Sequence, residues 1–329
     1  MKVFVAGATG AIGRFAVPAL VAAGHDVTGV ARGDDKASQL ERQGAAAARV
    51  SVFDADVLAP ALAGHDAVVN IATHIPPTRE AARPSAWTEN DRIRRDASAA
   101  LVDAALAAGV GRYVQEAVSF TYPDCGDEWI DEDVPLDAPD ALATVLAAEA
   151  AARRFTEEGG AGVVLRFGVL YGPGSEQSEV QARMARRHLG FRMGRAGDYL
   201  SSLHLADAGT AVVAALVAPA GAYNAVDDEP VTRRAAAAAL GSAVGARPWV
   251  HVPGRIARRL ARGPMVALVR SHRVSNARLR AATGWAPRYP SVREGWAAFV
   301  AAGDAAADPG TATRDRGAPA ASAGGGSRG

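Results

Sequence analysis

The chain has 329 residues, 22% of them charged, and a formal net charge of +1. That length holds one large or two modest domains around a real core, and so balanced a charge gives no electrostatic case for nucleic acid or an anionic membrane as partner. A lone cysteine, Cys125, forms no internal disulfide; with no secretory pattern and no apolar run approaching about 18 residues, the expectation is a cytoplasmic protein.

Residues 1–6 read as an apolar strand, and residues 14–23 as a helix with an apolar face. Between them stand Gly7, Gly10 and Gly13, spaced Gly-x-x-Gly-x-x-Gly, with Thr9, Ala11 and Ile12 filling the loop. A strand, a tight turn and a helix start in this order make an anion site, because N–H groups at the helix N-terminus favour negative charge. Gly7 permits the turn, Gly10 lets backbone approach a pyrophosphate, and Gly13 lets helix and strand pack closely. The spacing therefore predicts a dinucleotide site. A second strand over residues 25–32 ends at Ala31 and Arg32. An acidic residue there would accept from the ribose 2′-OH, whereas arginine can pair with a 2′-phosphate, so Arg32 points to NADP(H) over NAD(H).

A short helix over 36–43 leads to a third strand near 48–53, then Asp54 and a turn or two of helix over 59–63. Residues 66–72 form a fourth, nearly continuous apolar strand, as suits a strand covered on both faces. Thr73 and His74 leave its carboxyl end, where ligands bind in open α/β sheets, so His74 is a candidate substrate contact. A helix over 87–108, a fifth strand from Arg112, and a carboxylate-rich loop over 124–133 without metal-ligand spacing follow. The loop reads as a solvated, partly mobile lid. After an alanine-rich helix over 141–157 come a sixth strand from Gly162, helices over 178–188 and 203–216, a strand over 222–226 and a helix over 235–244. An arginine-rich stretch over 255–262 and a helix over 276–283 would complete a smaller lobe. The fold class is α/β: a Rossmann-type doubly wound parallel sheet (1–170) with a smaller C-terminal substrate lobe (171–302), the two partly interleaved. Residues 303–329 lose periodicity and read as a disordered tail.

Gly7 to Gly13, the run Leu165 to Gly174 (LRFGVLYGPG), His204-Leu205-Ala206-Asp207, and Thr283-Gly284-Trp285-Ala286-Pro287 together resemble the extended short-chain dehydrogenase/reductase family, also called the NAD-dependent epimerase/dehydratase family. The resemblance covers about residues 1–300. It implies NAD(P) in the Rossmann domain and a small-molecule substrate under the C-terminal lobe. It further implies that Asp54 hydrogen-bonds the adenine and that Ala72 and Thr73 line the far half of the cofactor. A homodimer through the helices over 87–108 and 141–157 is the family-level expectation.

The chain departs from that pattern at its chemistry. The family relies on a Tyr-x-x-x-Lys pair, in which the ammonium lowers the phenol's pKa. Lys2 and Lys36 are the only lysines, and none of the tyrosines is followed four positions later by lysine. Anchoring on Glu149 places Ala141 and Val145 at the pair's positions, and the upstream hydroxyl falls at Val118 or Ala117. Candidate replacements are Tyr122, Glu116 and Ser119 near the end of the fifth strand, with Tyr171 and His204 as candidate substrate contacts. Arg166 and Asp207 read as structural bridges. No metal site is expected. Two functions compete: an atypical NADP(H)-dependent reductase, epimerase or dehydratase of a small metabolite, and a non-catalytic NADP(H)-binding sensor or assembly protein.

Overall fold

A computed structural model describes residues 1–77, 79–81, 83–190, 194–246, 250–251 and 263–307. Seven strands form the central sheet: β1 (Lys2–Ala6), β2 (Asp26–Val30), β3 (Ala46–Ala48), β4 (Ala67–Asn70), β5 (Arg112–Val118), β7 (Ala161–Phe167) and β12 (Gly221–Ala225). Their order is β12-β7-β5-β4-β1-β2-β3, and every pairing is parallel. Strand order reverses between β1 and β4, which opens a crevice at their carboxyl ends. Val3, Phe4, Val5 and Ala6 are all buried, as are all four residues of β4, because helices cover both faces.

One face carries α1 (Gly13–Ala22) and α8 (Leu205–Ala215), which close a core containing Val3, Val5, Val17, Leu165 and Val212. These helices touch backbone to side: a Cβ at Gly209 would lie 2.7 Å from the Phe15 carbonyl carbon, so only glycine allows the approach. The other face carries α3 (Ala55–Leu62), α5 (Ser98–Ala107) and α6 (Ala143–Glu157), with Leu58, Leu101, Val145 and Phe155 in its core. α2 (Asp34–Arg42) links β2 to β3.

Beyond β7 lie small pairings: β8 (Val169–Tyr171) with β11 (Ser202–His204), β10 (Tyr199–Leu200) with β13 (Val231–Thr232), and β9 (Leu189–Gly190) with β14 (Val250–His251). Helices α7 (Glu176–Arg186), α9 (Arg233–Ala243), α10 (Ala277–Thr283) and α11 (Val292–Ala307) surround them. Tyr171, Trp296, Phe299 and Val300 share one apolar cluster there. That cluster carries α11 past the point where the sequence loses periodicity, since alanine continues a helix at little cost. Residues 255–262 and 308–329 lie outside the described residues.

Four expectations shift. The third strand is shorter and earlier, and α3 is a full helix because the Asp54 side chain caps it, accepting from the N–H groups of Asp56 and Val57. The helix expected over 87–108 is broken into a 3₁₀ turn (Pro84–Trp87), α4 (Thr88–Arg92), a π turn (Ile93–Ala97) and α5. The acidic loop is anchored: β6 (Trp129–Ile130) pairs with β15 (Arg273–Val274), and the buried Glu132 carboxylate accepts from the Asn224 N–H at 2.7 Å and faces Arg278. Partners supplied about 90 to 145 residues later in the chain are invisible to local pattern.

Two buried histidines make the fold acid-sensitive. Burial pushes His204 and His272 down to about 4, from an ordinary value near 6.5. Both are neutral in the folded chain, so the unfolded chain binds more protons between those values and stability falls as pH drops from 6.5 toward 4. Each contributes on the order of 3 kcal/mol of loss once pH is below both values. Urea midpoints measured from pH 7 to 4 should fall, and His272→Gln should flatten the slope.

Candidate cofactor and active site

The glycine loop is built as the sequence requires. Gly7 adopts φ +83, and a Cβ on it would lie 2.6 Å from the backbone of Ile71 and Ala72 at the end of β4. A Cβ on Gly13 would lie 2.2 Å from the Gly7 carbonyl oxygen. Gly10 and Ala11 are exposed at the crevice, and α1 has no acidic residue in its first turn, leaving its positive end uncompensated. The residues present therefore fit a pyrophosphate. Thr9 and Ile12 complete the loop, with Ile12 packed inward.

Arg32 is exposed just beyond β2. Arg49, on the neighbouring β3 side, is paired with Asp34. Asp54 is exposed and spends one oxygen, Oδ1, on the α3 cap; Asp54→Ala should cost about 1 kcal/mol through that cap alone, readable by thermal melt without cofactor. Ala72 donates its N–H to Asn70 Oδ1, and His74 donates its own to Asn90 Oδ1, so the loop after β4 is tied to both strand and α4. The Thr73 and His74 side chains are exposed.

A chain of buried charges runs across the ends of β5 and β7. Arg94, from the π turn, donates through one terminal nitrogen to both Glu116 oxygens at 2.8 and 3.1 Å. Arg166 forks onto Glu149 at 2.9 and 2.8 Å and donates to the Tyr122 hydroxyl at 2.7 Å; that hydroxyl donates on to Asn224 Oδ1 at 3.0 Å. Burial pushes the Glu116 carboxyl up, against the pull of Arg94. Burial likewise raises the Tyr122 phenol, outweighing Arg166. For Arg166 burial opposes the charge, but Glu149 and Tyr122 outweigh it and its pKa is pushed up.

Tyr122 has no exposed surface, and its hydroxyl is committed on both sides. Ser119 is buried in the turn that follows β5. Val145, where the resemblance would put the lysine, is fully buried among Tyr113, Phe155 and Leu142, and Val118, where it would put the hydroxyl, is also buried. Tyr171 and His204 come together with ring centroids 5.4 Å apart. His204 Nδ1 accepts from the Ala206 N–H and caps α8, while Tyr171 packs on Gly295 and Trp296. His74 stands apart on the β4 loop. Asp207 holds the N–H groups of Arg288 and Tyr289.

The residue that local sequence reading misses is Arg94. It sits in an arginine-rich helix that looks solvated, and only its spacing of four from Asn90 places both on the side of α4 that meets the ends of β4 and β5. Among the described residues no group of three or more His, Cys, Asp or Glu could hold a metal, and no helix is long and apolar enough to cross a membrane.

The doubly wound sheet, the glycine loop at its switch point and the smaller second lobe define an NAD(P)-binding protein of the epimerase/dehydratase kind. A protein-family model described as NAD(P)H-binding matches residues 7–191, and the chain belongs to that family. It is 36% identical over 304 residues to a 3-diazoavenalumate denitrifying reductase from Streptomyces, covering 90% of this chain and 99% of the relative. A human epimerase family protein solved with NADPH shares 25% identity at a TM-score of 0.75, over 92% of this chain and 99% of that one. UDP-glucose 4-epimerase of Thermotoga maritima with UDP-glucose gives a TM-score of 0.76 at 18% identity, over 93% and 100% of the two chains, and shares the fold.

Proposed function

We propose that this chain is an NADPH-dependent reductase whose substrate is a diazo-substituted aromatic compound that leaves as the arene and dinitrogen. The observation that carries the reading is that Ala141 and Val145 hold the positions the resemblance gives to the phenol–ammonium pair, so neither supplies a proton, and Val145 is fully buried. It is supported by the Streptomyces relative, named as a denitrifying reductase. Reduction of a carbonyl needs a proton as well as a hydride. An arenediazonium needs only the hydride: bound NADPH would supply it from a dihydronicotinamide C–H bond whose electron pair goes to the substrate, giving arene, dinitrogen and oxidised cofactor in balance.

The chain's own residues then bind, orient and exclude water. Gly7, Thr9, Gly10, Ala11, Ile12 and Gly13 hold the pyrophosphate, Asp54 the adenine, and Ala72 and Thr73 the far half of the cofactor. His74, exposed on the β4 loop, borders the substrate, and Tyr171 and His204, buried against each other, back the second lobe on its other side. Glu116, Ser119 and Tyr122 fix the electrostatics beneath the reacting atoms, without a proton relay. Two copies meeting along α5 and α6 belong to the same reading, and light-scattering mass checks it.

With NADPH deuterated at the transferred position and a carboxylated arenediazonium, the expected product carries deuterium where dinitrogen left, above the rate without protein. Unlabelled product, or no protein-dependent NADPH consumption, overturns the reading. NADPH binding without turnover of diazonium or carbonyl compounds would leave the sensor function. Cofactor preference has its own check: Arg32→Asp should weaken NADPH relative to NADH by about tenfold or more, the worth of one charge-assisted contact. Equal affinities in the parent protein would refute the preference.

A further inference from the structure

Glu116 and Val118 are two residues apart on β5, and Glu116 lies about 7 Å deeper along the strand. The β4–β5 ladder ends with Asn70 opposite Gln115, so Glu116 comes one position beyond the last paired residue of β4, where the chain turns into the loop through Ala72 and Thr73. The carboxylate is thus one layer below the cleft, beside the stretch of β4 and its loop that borders the far half of the cofactor. Its partner Arg94 is also buried, 4% exposed, and its Nε–H has no acceptor among the described residues. The turn that delivers it, Ile93–Ala97, is a π turn, a rare insertion concentrated at functional sites.

Such a pair has little reason to exist for stability alone. Replacing a buried ion pair by apolar residues of similar size is often neutral or stabilising. Its position suggests another use. The reduced nicotinamide ring is neutral and the oxidised ring is cationic, so a fixed carboxylate beneath the ring discriminates between them.

We propose that Arg94 is a positioning residue that holds Glu116 ionised beneath the nicotinamide end of the cleft, where the carboxylate favours the oxidised ring over the reduced one and so assists hydride departure. Bound NADPH would supply the hydride with both bonding electrons and its ring would become cationic, while Glu116 would neither gain nor lose a proton. The inference rests on the cofactor reading of the cleft and is independent of which acceptor is reduced.

The test is binding, not turnover. Titration calorimetry gives dissociation constants for NADPH and NADP⁺ on the full chain and on the double variant Arg94→Met/Glu116→Leu, which removes both charges without orphaning either. Coulombic attraction between a buried carboxylate and a nearby cationic ring, weakened by Arg94, is on the order of tenfold. The double variant should keep its NADPH affinity and lose about tenfold for NADP⁺, with Arg94→Lys retaining part of the discrimination. An unchanged ratio of the two constants, or a shift in favour of NADP⁺, overturns the proposal. Should the double variant not fold, the isosteric Glu116→Gln carries the same test by the same ratio. A parent chain that binds neither form refutes the cofactor reading itself, and this proposal with it; a parent that binds both yet reduces no diazonium leaves it standing.

Discussion

Gly13→Ala should abolish NADPH binding and lower stability by about 1–3 kcal/mol or more. The added Cβ would lie 2.2 Å from the Gly7 carbonyl oxygen and 2.4 Å from the Ala8 carbonyl. Both are backbone groups, so no side-chain rotation relieves the overlap. The helix start must move off the loop, and the N–H groups that would hold the pyrophosphate move with it. Quenching or enhancement of NADPH fluorescence reads the binding, and a melt without cofactor reads the stability. Gly24→Ala is the control: a Cβ there meets nothing within 4 Å, and only the positive φ of +81 is strained, costing on the order of 1 kcal/mol. Its NADPH affinity should stay unchanged. A Gly13→Ala chain with parental affinity would remove the basis for placing the pyrophosphate at this loop.

Arg166→Met and Glu149→Leu should each destabilise the chain by about 3–5 kcal/mol, because each leaves the partner's charge buried and unmatched. Arg166 is 7% exposed and so is Glu149. Losing Arg166 also removes a donor from the Tyr122 hydroxyl, which then depends on Asn224 alone. The double variant should regain most of the loss, since two apolar side chains suit the neighbouring core. Denaturant titrations of the two single variants and the double form a closed cycle. Simple additivity of the two losses would show that Arg166 and Glu149 act separately, contrary to the fork seen between them.

How legible this protein is from its sequence depends on distance along the chain. The glycine loop, the first two strands and the apolar run of β4 are local patterns, and local patterns survive folding wherever burial on both faces enforces them. The interruption of the helix over 84–107 was not legible. Its π turn exists to deliver Arg94 to Glu116, and nothing in residues 88–97 announces a partner that appears on β5. The acidic loop read as solvated because its charges have no local mates; β15, Asn224 and Arg278 supply them from much later in the chain. Tyr122 shows the same limit for chemistry. From sequence its hydroxyl looks available, and only the fold shows it held between Arg166 and Asn224.

The sequence by itself determined the doubly wound architecture, the glycine loop at Gly7, Gly10 and Gly13, and the absence of any Tyr-x-x-x-Lys spacing, because spacing and residue inventory are one-dimensional properties. Tertiary structure alone decided how Val145 and the charges near it are placed: Val145 in the core, and two buried ion pairs reaching across the ends of β5 and β7. Those contacts join residues 17 to 22 positions apart in Arg166–Glu149 and Arg94–Glu116, and 102 in Tyr122–Asn224. The physical reason is that a buried charge must find its partner in three dimensions, and a parallel sheet gathers its strand ends from distant parts of the chain.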